Sequence, residues 1–399
     1  MPLLAWYGKN RRELEWRQQP LPYYVWVSEI MLQQTRVEAV KPYFSRFIEA
    51  LPTIHDLAVC EEDRLLKLWE GLGYYSRVRN MKKAAEVVLH EYGGELPKDA
   101  AALKRLPGIG SYTAGAIASI AYGLPEPAVD GNVLRVLTRI LAVEDCIDDP
   151  RVKAGFEQLV KALLVERTQG AKQTSADGNP GKDTIRFLPG EFNQALMELG
   201  AVVCLPNGAP LCGRCPVAGQ CLAYQRHLTD TIPVRKKKKS RRLEKKTVLV
   251  IRDSERTMIR KRPGRGLLAG LWEFPCFEGH LSPEEALLKT EEIGASPVRI
   301  LPLPSYRHIF THVEWEMTGY QILVEEMEPG ETQPAKMEPE TSAEGAGHKS
   351  GKTDRERNQD TEKKTENGFL TVEIRQMEQD YPIPSAYARY TAALGGGRS

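Results

Sequence analysis

The chain reads as a mainly α N-terminal region followed by an α+β domain, and two changes of pattern predict that division. Up to about residue 165 the apolar residues step by three and four, the spacing of one helix face, whereas from Thr247 they come in short alternating runs. Between the two patterns lie a compact cysteine run and a strongly basic stretch, which mark the end of one domain and the approach to the next. At 399 residues the chain has room for two domains, each with its own core.

Within the helical part, Val37, Val40, Phe44, Phe47 and Leu51 define one apolar face. Ahead of it, Pro22 to Thr35 gives a short helix in which Glu29 sits among apolar neighbours. Glu29 is either an exposed carboxylate beside a core stripe or a general acid, since apolar surroundings disfavour the charged form and raise the pKa. Gly71 to Asn80 sets Tyr74 and Tyr75 beside Arg77 and Arg79. That composition suits either the start of a helix with one tyrosine in the core or a wedge that clamps nucleic acid.

Further along, Leu106 to Ala114 places Gly108 and Gly110 in a turn between two helical patterns. Such a turn is either a bare connection or a place where backbone N–H groups and a helix N-terminus approach an anion, as in the helix-hairpin-helix that grips a DNA phosphate. In Val129 to Val133, Asp130 or Asn132 is a good N-cap for the helical pattern Leu134 to Leu141. A carboxylate held ionised there would also stabilise a cation in front of it. Residues 166–188 turn to Gln, Gly, Asp, Lys and Ser and read as a surface insertion, after which helical pattern resumes at Phe192.

Four of the seven cysteines then fall in one short loop, Cys204-x7-Cys212-x2-Cys215-x5-Cys221. One close pair within a compact run resembles the thiolate cradle of an iron–sulfur cluster more than the two separated knuckles of a four-cysteine zinc site, and buried free thiols are the remaining alternative. Pro206, Gly208, Pro210, Gly213 and Pro216 make the segment a loop. Residues 233–246 form a basic interdomain linker, either solvated or in contact with phosphates. Strand patterns follow at Thr247 to Ile251, Thr257 to Ile259 and His312 to Met317, and residues 328–367, nearly free of apolar side chains, read as a disordered insertion. The start, Met1 to Trp6, reads as mature protein without an export signal, and no apolar run is long enough to span a bilayer. A reducing cytoplasm is therefore expected. The net charge of +2 is too small to predict nucleic-acid binding by itself.

Together, the hairpin, an Asp twenty residues after Gly110 and the terminal cysteine loop resemble the endonuclease III superfamily of base-excision glycosylases. The texts Ser28-Glu29-Ile30-Met31-Leu32-Gln33-Gln34-Thr35, Gly71-Leu72-Gly73-Tyr74-Tyr75 and Asp130-Gly131-Asn132 narrow the resemblance to the MutY family of adenine DNA glycosylases. That resemblance implies a six-helix barrel with a helix-hairpin-helix and an iron–sulfur domain over residues 1–232, followed by a Nudix-like recognition domain over 247–399. It implies a [4Fe-4S] cluster on Cys204, Cys212, Cys215 and Cys221. The substrate is then double-stranded DNA with adenine opposite 8-oxoguanine or guanine, bound by a monomer in the cytoplasm at the nucleoid.

By the same resemblance Glu29 protonates the flipped adenine, Asp130 faces the sugar cation, and Gln34 with Tyr74 enters the base stack. Leu32, Gln33, Thr35, Arg17, Gly108 and Gly110 fall at DNA-contacting positions, and Trp16, Arg17 and Asn132 at active-site positions. Bifunctional relatives carry a Lys in the hairpin whose amine forms a Schiff base; Tyr112 occupies that position here, which implies a glycosylase without strand cleavage. Phe310-Thr311-His312 resembles the family's Phe-Ser-His loop that reads 8-oxoguanine, with ordinary strand residues around partly buried His308 and His312 as the alternative. The first cysteine gap is seven residues where the family has six. Gly279 and Glu285 match the first spacing of a Nudix box, but no Arg-Glu-x2-Glu-Glu follows, so pyrophosphohydrolase activity is not expected. A bifunctional pyrimidine glycosylase/lyase and a non-catalytic iron–sulfur DNA-binding protein are the rival functions; Tyr112 weighs against the first, and the joint presence of Glu29 and Asp130 against the second.

Overall fold

A computed structural model describes residues 1–176, 187–236, 240–327 and 368–395. The chain forms two compact units, Met1–Lys239 and Ser240–Ser399. Every regular element described in the first unit is helical, as its apolar spacing predicts. In the Val37–Ala50 helix, Val40, Phe44 and Phe47 are fully buried. The Pro22–Leu32 helix starts with Pro in its first turn and buries every residue from Val25 to Met31. A helix that is apolar on nearly all sides belongs inside the fold, and it carries Glu29 there with it.

The hairpin forms as expected. Asp99 caps the Ala100–Arg105 helix by accepting from Ala102 N at 2.7 Å, and after Leu106–Gly110 the Ser111–Ala116 helix begins and runs into a π-helical turn, Ile117–Ala121. Gly108 has φ +76°, and a Cβ there would lie 2.7 Å from Asn80 Cβ, so conformation and space both call for glycine. Opposite the π turn, buried Asn193 donates to Ser119 Oγ (2.8 Å) and the Glu126 carbonyl (2.8 Å), and its own oxygen accepts from Ala128 N (3.3 Å). These bonds tie down the extended segment that leads to Asp130.

Two expectations need correction. The Pro150–Ala176 helix continues through residues 166–176, so the first part of the proposed insertion is helical; residues 177–186 lie outside the described residues. Nor are residues 233–246 simply a solvated linker. Val234 O accepts from Ile147 N at 3.0 Å and Lys236 N donates to Asp148 at 2.9 Å, which hold the start of the stretch to the first unit. Its other end, Arg242–Lys246, belongs to a strand of the second unit, and Lys246 is buried, paired with Glu244 (3.3 Å) and Glu278 and placed over the Trp315 ring at 5.3 Å. The basic count concealed an alternation in which Glu244 and Lys246 turn inward while Leu243 and Lys245 stay exposed. Lys237 to Lys239 lie outside the described residues, as does the proposed insertion 328–367.

Among its described residues the second unit has a seven-stranded mixed sheet. Its strands are β1 (Arg242–Arg252), β2 (Arg256–Lys261), β3 (Trp272–Glu273), β4 (Cys276–Glu278), β5 (Pro297–Ile309), β6 (Val313–Val324) and β7 (Leu370–Glu373). The path runs β3-β2-β1-β6-β5, with β4 on β1 and β7 on β2; β1 and β6 are parallel and the other pairs antiparallel. Because successive side chains point to opposite faces, Val248 and Val250 join one core with Trp315, Met317 and Tyr387, while Leu249 and Ile251 join another with Ala286 and Ile322. A strand covered on both sides reads as a continuous apolar run, which is how 247–251 reads. Glu285, the chance Nudix-box match, caps the Pro283–Glu292 helix through a reciprocal pair with Ser282.

Candidate active site

In the first unit a cavity of about 850 Å³ is lined by Glu29, Tyr112, Asp130, Asn132, Arg17, Trp16 and the segment Leu32–Thr35. The sequence-predicted catalytic residues therefore meet at one site. Glu29, 6% exposed, accepts a short hydrogen bond from the Tyr112 hydroxyl. Burial drives the Glu29 pKa up to about 7; the Tyr112 hydrogen bond and the Arg17 charge oppose that shift, and the negative charge of Asp130 adds to it. Tyr112 is itself pushed well above its ordinary value by burial and by the two carboxylates, so it stays a neutral phenol.

Asp130 is the N-cap of the Gly131–Leu141 helix: Oδ1 accepts from Val133 N at 2.7 Å and Oδ2 from Asn132 Nδ2 at 2.8 Å. The N-cap reading of this position holds, and the same carboxylate lines the cavity. The net pKa shift runs upward, because burial outweighs those hydrogen bonds and the Arg135 charge. Asn132 is fixed in turn by Arg135 Nη2, which donates to Asn132 Oδ1 at 2.8 Å.

The sequence reading missed a third carboxylate. Glu198, fully buried on the Pro189–Val202 helix, accepts from Arg12 Nε at 2.7 Å and Nη2 at 2.9 Å, and from Arg17 Nη2 at 2.8 Å. Burial alone would raise its pKa, but the two guanidinium groups more than offset this and hold it at about 2. The available signal was the one used for Glu29, a lone acid inside the apolar run Ala195-Leu196-Met197-Glu198-Leu199. The ion cluster aims Arg17 into the cavity, where Gln194 and Met197 of the same helix complete the wall.

The residues assigned to DNA contact are spread over loops. Leu32, Gln33 and Thr35 are half-buried and Gln34 is exposed, with Gln34 at φ +60°. Tyr74 is exposed at φ +49°, while its neighbour Tyr75 is buried, so one tyrosine serves the core and the other faces out. Gly108 and Gly110 sit in the hairpin turn away from the cavity, and Gly108 instead lines a small polar hollow with Gln33, Ser76 and Asn80.

Cys204, Cys212, Cys215 and Cys221 line one enclosed, mostly apolar hollow together with Val136, Arg139 and Leu199. Arg139 donates to Cys204 Sγ at 3.3 Å and to the carbonyls of Leu205 (2.9 Å), Thr229 (2.9 Å) and Ile232 (2.8 Å). The longer first gap closes on itself: Leu211 N donates to Val203 O at 2.9 Å around a turn with Gly208 at φ +73°. Among the described residues no group of three His, Cys, Asp or Glu stands close enough to hold a single metal ion.

In the second unit Phe310, Thr311 and His312 form the tight turn between β5 and β6, closed by Phe310 N donating to Val313 O at 2.8 Å. Phe310 packs edge-on against Trp315 and His308, at 4.9 Å and 4.6 Å between ring centroids. Thr311 and His312 are exposed and His308 is half-buried, so only the second histidine of the alternative reading departs from it.

The helical hairpin domain, with Glu29 buried and Asp130 half-buried at one cavity, and the mixed-sheet domain each match a known family, and the first places the chain among base-excision DNA repair proteins. Residues 27–162 match the HhH-GPD superfamily of base excision DNA repair proteins, and residues 247–393 match the NUDIX domain. The chain is 34% identical over 388 residues to the adenine DNA glycosylase of Rattus norvegicus, covering 83% of this chain and 71% of that one, and 35% identical over 395 residues to that of Homo sapiens, covering 83% and 68%. Among solved structures, a thermostable thymine-DNA glycosylase is similar at 25% identity and a TM-score of 0.46, covering 56% of this chain and 94% of its own. The chain belongs to the adenine DNA glycosylase family, and as such it is an enzyme of base excision repair that removes adenine from DNA.

Proposed function

We propose that this chain excises adenine opposite 8-oxoguanine or guanine in double-stranded DNA, as a monomer and without cutting the strand, with Glu29 as the acid and Asp130 as the counter-charge. The observation that supports this most is the shared cavity, which holds one carboxyl pushed up to about 7 beside a second that accepts hydrogen bonds from a helix N-terminus. An adenine turned out of the duplex enters that cavity, at a reduced unstacking cost because its pair is a mismatch. Glu29 gives its proton to the purine ring, and the neutral base leaves with the electron pair of the glycosidic bond. Asp130 offsets the charge on the sugar until water adds to it and loses a proton. Arg17 and Asn132 hold the base and the sugar side, Gln34 and Tyr74 enter the stack, and Leu32, Gln33, Thr35 and the Gly108 and Gly110 backbone bear on the DNA.

Tyr112 takes the place at which a lysine amine would form a Schiff base, and a neutral phenol has no such chemistry. The four cysteines fit a [4Fe-4S] cluster: they surround one hollow with apolar walls, and the Arg139 guanidinium beside Cys204 balances thiolate charge. A cluster bound there would cross-link through the four thiolates the loop that Arg135 and Arg139 hold to the Gly131–Leu141 helix. Phe310, Thr311 and His312 read the oxidised guanine, with two exposed polar side chains at a rigid turn. The test is a single-turnover assay on a duplex with adenine opposite 8-oxoguanine, quenched with and without alkali. Strand breaks only after alkali are expected; nicking without alkali, or covalent trapping by borohydride, contradicts the reading.

A further inference from the structure

Gln34 and Tyr74 come from separate segments, one just after the Pro22–Leu32 helix and the other just before the Ser76–Glu91 helix, yet both are non-glycine residues in the left-handed region. That conformation is costly for L-residues, and surrounding contacts offset the cost. A single buried side chain makes those contacts on both sides. Arg77 Nη1 donates to the carbonyls of Ile30 (2.7 Å), Met31 (3.0 Å) and Gln33 (2.7 Å), and Nη2 to those of Leu72 (3.1 Å) and Gly73 (3.0 Å). The first three lie in the last turn and exit of a helix, where carbonyls lack the usual i+4 amide; Ile30 O accepts a long bond from Gln33 N (3.4 Å) as well. Its guanidinium also lies 5.2 Å from the Trp69 ring centroid and 5.6 Å from that of Tyr74. Only a planar fork satisfies carbonyls on two loops and stacks on rings at once; an ammonium does not.

We propose that Arg77 is a positioning residue that locks the Gln33-Gln34 and Gly73-Tyr74 loops into one wedge, so that Gln34 and Tyr74 enter the duplex as a unit. This rests on the reading that those two side chains enter DNA. The experiment uses the full chain and a duplex carrying non-hydrolysable 2′-fluoro-2′-deoxyadenosine opposite 8-oxoguanine. Affinity is measured for Gln34→Ala, Tyr74→Ala and the double variant, first with Arg77 and then with Arg77→Lys.

With Arg77 present, each single change is expected to weaken binding about tenfold and the double change by little more than that, since a unit broken once is broken. With Arg77→Lys the two losses multiply instead. Single variants that bind as tightly as wild type overturn the DNA-entering reading and the proposal with it. Losses that multiply in the presence of Arg77 overturn the coupling alone, and coupling that persists in Arg77→Lys overturns its assignment to this residue. A second measurement needs no variant: amide exchange in the wild-type protein should show Gln33, Thr35 and Leu72 opening together, whereas protection differing more than tenfold between the two loops contradicts the lock.

Discussion

Glu29 and Glu198 line the same cavity and are driven in opposite directions, one to about 7 and the other to about 2. Glu29 meets a phenol and a like charge, whereas Glu198 meets two guanidinium groups, so only Glu29 holds a proton near neutral pH. The folded protein therefore binds a proton at Glu29 that the unfolded chain releases from about 4.5 upward. Stability from this group is full below that value and is lost as pH rises through about 7, in total roughly 3 kcal/mol. Glu29→Gln should accordingly raise Tm relative to wild type at pH 8 and leave it unchanged at pH 4, and equal shifts at both values contradict the buried acid. Single-turnover excision by the wild type should fall about tenfold per pH unit above 7, read directly from rates between pH 6 and 9. Glu198 is depressed, so its contribution is full above about 4.5 and lost as pH falls towards 2; Glu198→Gln, which leaves two guanidinium groups short of their partner, should cost about 3 kcal/mol in urea unfolding at pH 7. Glu29 was legible because its helix is apolar on all sides. Glu198 carried the same signal but its partners, Arg12 and Arg17, lie 186 and 181 residues away in sequence, and no local pattern joins them.

The Gly131–Leu141 helix links two functions along its length. Its first turn is capped by Asp130, and its buried Arg135 and Arg139 hold the cysteine loop, Arg135 through the Cys204 carbonyl (2.8 Å) while it also reaches Gly200 O of the Pro189–Val202 helix (2.7 Å). Arg139→Met would leave three carbonyls and a thiol without their donor, and a loss of about 3 kcal/mol is expected, together with less iron per chain after anaerobic preparation. Full stability and full iron content in that variant would show that the arginine does not hold the loop. Elements with a clean period were the most legible: the Val37–Ala50 helix and β1 both follow their apolar spacing. The basic stretch was misread because charge was counted without asking where each residue points, and Lys246 turns inward onto Trp315. Arg77 was seen only as a cation beside aromatics, since its five carbonyl partners are backbone groups that any sequence supplies.

Across the whole chain the two units carry different kinds of residue. The acids, the hairpin and the cysteine loop all belong to Met1–Lys239, and Phe310 to His312 to the second unit. Replacing Thr311 and His312 by Ala should leave excision of adenine opposite guanine near wild type while reducing the preference for adenine opposite 8-oxoguanine several-fold, since the proposed lesion reading rests on their polar groups. Unchanged discrimination in competition between the two duplexes would remove this turn from lesion reading. The central claim is that one buried acid breaks the bond, and Glu29→Gln tests it most directly on adenine opposite 8-oxoguanine under single-turnover conditions. Duplex affinity within about twofold of wild type and excision reduced at least a thousandfold are expected, in line with the loss of an essential proton donor; excision reduced by only a few fold would show that Glu29 is not that donor.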